Sequence, residues 1–126
     1  MSTNSNLEQN KAIVRDFFQK VFVEHEVDAG LLNFRPDYIQ HNPMVPTGLE
    51  AVRAAFKQGI QNVSTEIKRI IAEGDLVVVH HHFKFAPGSL GAAVIDIFRI
   101  ENGKIAEHWD VMTPVPEKPN NNNSMF

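Results

Sequence analysis

The sequence predicts an α+β fold in which a cone-shaped, curved antiparallel sheet is wrapped on about three N-terminal helices. Two observations carry this prediction. Apolar residues recur at three- and four-residue steps in the first half of the chain, and the pattern changes to a loose two-residue alternation at about residue 65. A sheet that follows helices must bury one face on them, and long strands on short helices tend to curl into a half-open cone around a pocket.

Three segments of the first half have helical periodicity. The first covers about residues 6–25, and a short second helix is expected over 28–34. Thr47 and Glu50 have the spacing of a capping box, and they predict the start of a third helix over about 48–60.

The second half alternates between β-branched runs and turn residues. Glycine-containing turns and one loop with Pro and Gly separate four predicted strands, over about 65–71, 76–85, 93–100 and 104–112. The end of the chain, from about 113, is rich in Pro and Asn and is predicted to be irregular. The length of 126 residues predicts a single domain over 1–126.

The turn at Asn102–Gly103 decides which side chains share a face. A two-residue loop would pair Asp96 with Trp109, whereas a three-residue loop with a bulge would pair Asp96 with His108. A slip of one residue moves a whole strand to the other face. We prefer the three-residue loop, which places four side chains on one concave face: Asp96, Phe98, His108 and Asp110.

Asp96 interrupts an otherwise apolar strand. Its neighbours on the same face are Val94 and Phe98, which favours burial of the carboxylate rather than exposure. Burial raises the pKa of a carboxyl group, and a neighbouring cation lowers it. Burial of two carboxylates and an imidazole on one concave wall costs free energy unless these groups are well paired or take part in catalysis. The sequence therefore predicts a polar site in this part of the cone.

The run His80–His82 lies within a predicted strand. His80 and His82 share a face, and a pair of this kind can hold a metal ion. Cupin barrels use such a pair with a Glu three or four residues later, but Phe85 and Ala86 stand there in this chain. Since that match fails, we expect no metal ion at these residues. The alternative to a metal site is that the histidines form hydrogen bonds within the sheet.

Composition excludes several function classes. The chain has no Cys, which excludes disulfides, thiolate nucleophiles and Cys-ligated metals. A net charge of −3 argues against a nucleic-acid partner. The chain carries no P-loop, no dinucleotide-binding fingerprint and no nucleophile elbow. Without a signal sequence or a long apolar run, we expect a cytoplasmic protein that does not enter a membrane.

Two blocks, Tyr38–Pro43 and Asp96–Asp110, resemble the SnoaL-like branch of the nuclear-transport-factor-two-like superfamily. The resemblance covers nearly the whole chain and implies a curved sheet on three helices, often in a homodimer. SnoaL-like polyketide cyclases close rings by cofactor-free aldol chemistry with an aspartate and a helper histidine. The resemblance places that aspartate at Asp110 and the helper near Asp96. Because this chain has a carboxylate there and not an imidazole, His108 or His80 could take the helper's part.

Ketosteroid isomerase, a relative of the same architecture, is similar at Val94–Asp96 and at Arg99. Its catalytic base would fall near His41 or Asn42, where this chain has no aspartate. The resemblance therefore implies the fold and an acid/base pocket but does not carry over the isomerase base.

These observations lead to one functional hypothesis. The protein is a small cofactor-independent lyase, isomerase or cyclase that acts on an apolar carbonyl compound with an acidic C–H. Asp110 is the general base, and either Asp96, held neutral, or His108 stabilises the enolate oxygen. The remaining candidates orient the substrate or form the apolar wall of the pocket: His41, His80, His82, Tyr38, Phe17, Phe18 and Phe98.

Two alternatives stay open: a non-catalytic ligand-binding or dimerisation domain, and a histidine-bound metal hydrolase or oxygenase. We also expect a homodimer, because Ile97 and Trp109 make the outer face of the sheet too apolar to stay exposed.

Overall fold

The computed structural model describes residues 3–126, with side chains from residue 6 onward. Its helices and strands follow one another as α1 Thr3–Phe18, a π-helical turn Gln19–Val23, α2 Val27–Leu31, β1 Phe34–Gln40, α3 Leu49–Gly59, a 3₁₀ turn Ile60–Asn62, β2 Ser64–Glu73, β3 Leu76–Lys84, β4 Ala92–Glu101 and β5 Lys104–Pro114. The predicted α+β class with three helices is confirmed.

The first helix differs from its prediction at its C-terminal end. Its last turn widens into the π-helical segment, which buries Val21 and Phe22. Gly30 in α2 packs directly on this segment, since a Cβ at Gly30 would lie 2.3 Å from Cγ2 of Val21. The absence of a side chain at this position lets α2 approach the first helix closely.

The predicted cap at Thr47 is wrong. The residue before α3 is Gly48, with a φ of +98°, and it provides no side-chain cap. The Thr47 hydroxyl instead donates to the carbonyl oxygen of Tyr38 and accepts from the amide of Gln40. Thr47 therefore ties the loop before α3 to strand β1, while Glu50 pairs with Arg53.

The five strands form one sheet in the order β1-β5-β4-β3-β2. The predicted meander of four antiparallel strands is present as β2 to β5. The first strand pairs with β5 in a parallel sense, so the sheet is mixed rather than wholly antiparallel. This addition matters for the pocket, because β1 brings polar side chains alongside those of β5.

The preferred three-residue loop of the β4–β5 hairpin is wrong: the turn is the two-residue alternative with Glu101 opposite Lys104, although the register beyond it differs from both predictions. Asn102 and Gly103 adopt positive φ values of 52° and 77° in a two-residue loop. A bulge follows, in which Arg99 pairs with Glu107 while Ile100 pairs with Ile105. Asp96 therefore lies opposite Asp110, two residues beyond its predicted partner. An even displacement preserves the faces, and the predicted grouping of Asp96, Phe98, His108 and Asp110 on one face is correct.

The core lies between the helices and the concave face of the sheet. It contains six phenylalanines and tyrosines that are at most 9% exposed, Phe17, Phe18, Phe22, Phe34, Tyr38 and Phe98. Their rings make mainly edge-to-face contacts. None of the helices in the described part of the chain is long and apolar enough to cross a bilayer.

Candidate active site

A cavity of about 220 Å³ opens between the helices and the concave face of the sheet. All four side chains predicted to form its apolar wall do line it, namely Phe17, Phe18, Tyr38 and Phe98. Most of its remaining lining is also aromatic or aliphatic. One side is polar, and it carries Asp96, His108 and Asp110 together with His81, Gln40 and Asn42.

Asp96 lies at the centre of this polar side and is bonded to two imidazoles. Its Oδ1 is 2.7 Å from Nε2 of His108, and its Oδ2 is 2.5 Å from Nε2 of His81. The residue is 7% exposed and His81 is 2% exposed, so the contacts are shielded from solvent. Hydrogen bonds to a charged group are strong in such surroundings.

The pKa of Asp96 results from opposing effects. Burial raises it, but hydrogen bonds from His108 and His81 lower it more, and the net pKa lies below its ordinary value. This direction favours an ionised Asp96 that accepts two N–H groups. It argues against the expectation that Asp96 is held neutral, since His81 is a second hydrogen-bond partner that the sequence pattern did not place beside it.

Gln40 fixes the state of His108. The Gln40 Oε1 atom accepts the backbone N–H of Asn42 at 3.0 Å, which orients the side-chain amide, and the same atom lies 2.8 Å from Nδ1 of His108. Both ring nitrogens of His108 thus face acceptors, Gln40 on one side and Asp96 on the other. An imidazole that donates from both nitrogens is a cation. We infer from these two contacts that His108 is the cationic partner of the shielded Asp96 carboxylate.

Asp110 lies beside this pair and is held from the loop that follows β1. The Nδ2 atom of Asn42 is 3.0 Å from each carboxylate oxygen of Asp110, and the Oδ2 atom is 3.6 Å from Nε2 of His108. The Asp110 side chain is 18% exposed, compared with 10% for Asp96. Among the described carboxylates that line the pocket, Asp110 is the one with no imidazole within hydrogen-bond distance.

Ligating atoms of Asp96, His108 and Asp110 all lie within 4.8 Å of one another, a spacing that could hold a metal ion. The hydrogen bonds do not favour this use, because each Asp96 oxygen already accepts an N–H and His108 Nε2 is turned towards Asp96. A bound cation would have to displace these bonds.

The predicted place of His80 and His82 in the pocket is wrong. They lie on the outer face of β3, whereas His81 points inward with Val77 and Val79. Phe126 stacks on the ring of His82, with centroids 4.2 Å apart, and more distantly on His80. The two-residue alternation along β3 indicates this placement, because Lys84 lies on the same face as His80 and His82 while the other face is apolar apart from His81.

His41 also lies outside the pocket. Its ring stacks on Trp109 at 4.8 Å, and its Nε2 is 2.7 Å from Oε2 of Glu107 on the outer face. The inward residues of this segment are Tyr38, Gln40 and Asn42, which follow one another at two-residue steps. The same two-residue period, continued past the end of the strand, would have predicted that Gln40 and Asn42 line the pocket.

Known structures share this fold. TsrD from Streptomyces laurentii is 28% identical, with a TM-score of 0.68, over 83% of this chain and 88% of that chain. An NTF2-like protein from Burkholderia xenovorans is 20% identical, with a TM-score of 0.77, over 90% and 89% of the two chains. An LEH-like epoxide hydrolase from M. tuberculosis is 18% identical, with a TM-score of 0.70, over 86% and 85%.

The last two likenesses show the fold alone. No curated protein sequence matches the chain with significance. The family model of the SnoaL-like domain matches residues 14–108, which is well over half of the sequence and includes β1 to β4 and the first part of β5. The chain belongs to the SnoaL-like family.

Proposed function

We propose that the protein is a small cofactor-independent acid/base enzyme, a lyase, isomerase or aldol cyclase, that acts on a carbonyl compound with an acidic C–H. The observation that carries this proposal is the carboxylate of Asp110, which faces an aromatic cavity beside the hydrogen-bonded Asp96 and His108. A base beside a group that stabilises negative charge on the carbonyl oxygen is an arrangement that promotes enolisation.

In the proposed step, Asp110 takes the proton of the C–H bond, and the electron pair of that bond moves towards the carbonyl oxygen. The positive charge of His108 stabilises the enolate, and Asp96 keeps that charge in place. The carboxylic acid of Asp110 then returns the proton to the same carbon or to another one. Asn42 holds the Asp110 carboxylate through its Nδ2 atom and so orients the base.

The size of the cavity limits the substrate. About 220 Å³ is below the roughly 300–1,000 Å³ of sites for drug-sized ligands. The walls are mainly aromatic, with Phe17, Phe18 and Phe98 among them. A small neutral ketone or keto ester fits these surroundings better than a polycyclic compound or a polyanion.

The test is deuterium exchange of the methylene hydrogens of ethyl acetoacetate in chelator-treated buffer, followed by NMR. The wild type is expected to exceed the buffer rate, and Asp110→Asn to lose about a hundred- to ten-thousand-fold of that excess. Glu107→Gln, a change on the outer face of the same strand, is the control and should keep the rate. A wild-type rate equal to that of buffer, with the ester bound, would instead favour a ligand-binding domain.

We further propose a homodimer through the outer face of the sheet. Ile95, Ile97 and Trp109 are half-buried there, and Val111 is 68% exposed. Apolar surface of this kind on neighbouring strands favours association. Sedimentation at micromolar concentration should show a dimer that Val111→Glu dissociates, and a wild-type monomer would refute this part.

A further inference from the structure

The hydroxyl of Tyr38 is a buried donor that the fold leaves without an acceptor. Tyr38 is 1% exposed and lines the cavity. Its oxygen accepts a hydrogen bond from Nε2 of Gln40 at 2.7 Å. No side chain or carbonyl in the described part of the chain accepts the proton of this hydroxyl. Buried polar groups are usually fully paired, and an unused donor in a cavity calls for an explanation.

Gln40 directs this proton. Its amide orientation is fixed, because Oε1 accepts from the backbone of Asn42 and from His108. The amide nitrogen therefore faces Tyr38 and occupies a lone pair of the phenolic oxygen. The O–H bond must point elsewhere, and its donor strength increases when the oxygen itself accepts a hydrogen bond.

His108 and Asp96 leave the cavity without a free hydrogen-bond donor, and the Tyr38 hydroxyl would supply one. Both nitrogens of His108 are already bonded, to Gln40 and to Asp96, so the imidazolium offers charge but no free N–H. His81 is likewise bonded at both nitrogens, to Asp96 and to Thr65. A ligand oxygen in the cavity must obtain its hydrogen bond from another group.

The hydroxyl stays protonated throughout the ordinary pH range. Burial raises the pKa of Tyr38 to about 12; the hydrogen bond from Gln40 lowers it, and the charge of Asp110 raises it. Tyr38 can therefore donate a proton in a hydrogen bond but cannot act as a base beside Asp110.

We propose that the Tyr38 hydroxyl is the hydrogen-bond donor to the carbonyl oxygen of the ligand and that Gln40 is the positioning residue that orients it. The class of ligand, a small carbonyl compound, rests on the proposed function. In the enolisation step the same hydrogen bond holds the oxygen that receives the electron pair, while Asp110 receives the proton.

The test uses cyclohexanone, isotope-labelled at the carbonyl carbon, as an infrared probe. In the wild type, the carbonyl band of the bound probe is expected at a lower wavenumber than in hexane, as hydrogen bonding requires. Tyr38→Phe should return the band towards its position in hexane. Thr113→Val, which removes an exposed hydroxyl elsewhere, should leave it at the wild-type position.

A second measurement keeps the buried tyrosine ring in place. The chain contains one tyrosine, so growth on fluorotyrosine alters Tyr38 alone. Fluorine makes the phenol a stronger donor, and the carbonyl band should move to a still lower wavenumber. The proposal is overturned if the carbonyl band has the same wavenumber in the wild type, the fluorinated protein and Tyr38→Phe. It is also overturned if the wild type shows no band of bound cyclohexanone at millimolar concentration.

The two proposals fail in different ways. A band that shifts as expected, in a protein without proton exchange, supports the Tyr38 donor and removes the proposed reaction. Exchange that persists at the full rate in Tyr38→Phe removes the donor and leaves Asp110 as the base. With both proposals correct, Tyr38→Phe lowers the exchange rate about a hundred- to thousand-fold.

Discussion

The two faces of one sheet hold the same residue types in opposite circumstances. On the concave face, His81 and His108 share the buried carboxylate of Asp96. On the outer face, His80, His82 and His41 stack on aromatic rings and are half-exposed or exposed. The strand position, rather than the residue type, decides whether an imidazole meets a buried charge. The difference between the faces can be measured directly.

Removing the charge of Asp96 is expected to have the largest effect. Asp96→Asn leaves the His108 cation without its anionic partner. It also directs an amide N–H towards Nε2 of either His81 or His108, where the carboxylate accepted a hydrogen bond. Loss of one partner of a buried ion pair costs about 3–5 kcal/mol. Urea unfolding measures the loss of free energy.

The matched change on the outer face is Glu107→Gln. Glu107 pairs with Arg99 and His41 near solvent, and such pairs contribute about 0–1 kcal/mol. Equal losses of stability in the two variants would show that the faces do not differ as described.

A smaller effect is expected from exchanging neighbouring imidazoles for phenyl rings. His81→Phe keeps a ring in the core but removes one of two donors to Asp96, at a cost of about 1–3 kcal/mol. His82→Phe keeps the stacking on Phe126 and should change stability by no more than about 0.5 kcal/mol. Thermal or urea unfolding of the two variants measures the difference, and a larger loss at His82 would reverse the assignment of faces.

A further effect concerns Tyr38 at alkaline pH. Its pKa is raised to about 12 in the folded protein, chiefly by burial, from an ordinary value of 10.0. The stability that this shift provides is complete below pH 10 and declines as the pH rises towards 12. Because the chain has one tyrosine, the near-ultraviolet absorbance of tyrosinate reports Tyr38 alone.

Asp110→Asn tests the electrostatic part of that shift. The charge of Asp110 is one of the causes that raise the Tyr38 pKa, so the variant should titrate at lower pH than the wild type. A Tyr38 that titrates near 10 in the folded wild type would place its hydroxyl in solvent rather than in the cavity.

Periodicity predicts most of the architecture. Apolar spacing located three helices and four strands, because burial of one face imposes the period directly on the sequence. The parallel pairing of β1 with β5 is not visible in this way, since Phe34–Gln40 is short and its partner lies about seventy residues later in the chain. The bulge at Ala106 is equally hidden, because a buried alanine gives no local signal.

The candidate site was predictable where the apolar neighbours fixed the face. Val94 and Phe98 predict the inward side of Asp96, and Asp110 and His108 share that side because the observed register differs from the predicted one by an even number of residues. His80 and His82 lie on the outer face, and the signal in the sequence is Lys84, which shares their side of the strand. The ionised state of Asp96 could not be predicted, since it depends on His81, which reaches Asp96 from the neighbouring strand.

The charged pair behind Asp110 is the feature on which the proposed chemistry depends. Nitrogen NMR of the His108 ring at neutral pH tests it most directly, with the assignment made from His108→Gln. The hydrogen bonds to Gln40 and Asp96 predict a hydrogen on both ring nitrogens, whereas one bare, unprotonated nitrogen in His108 would contradict the ion pair and the enolate stabilisation derived from it.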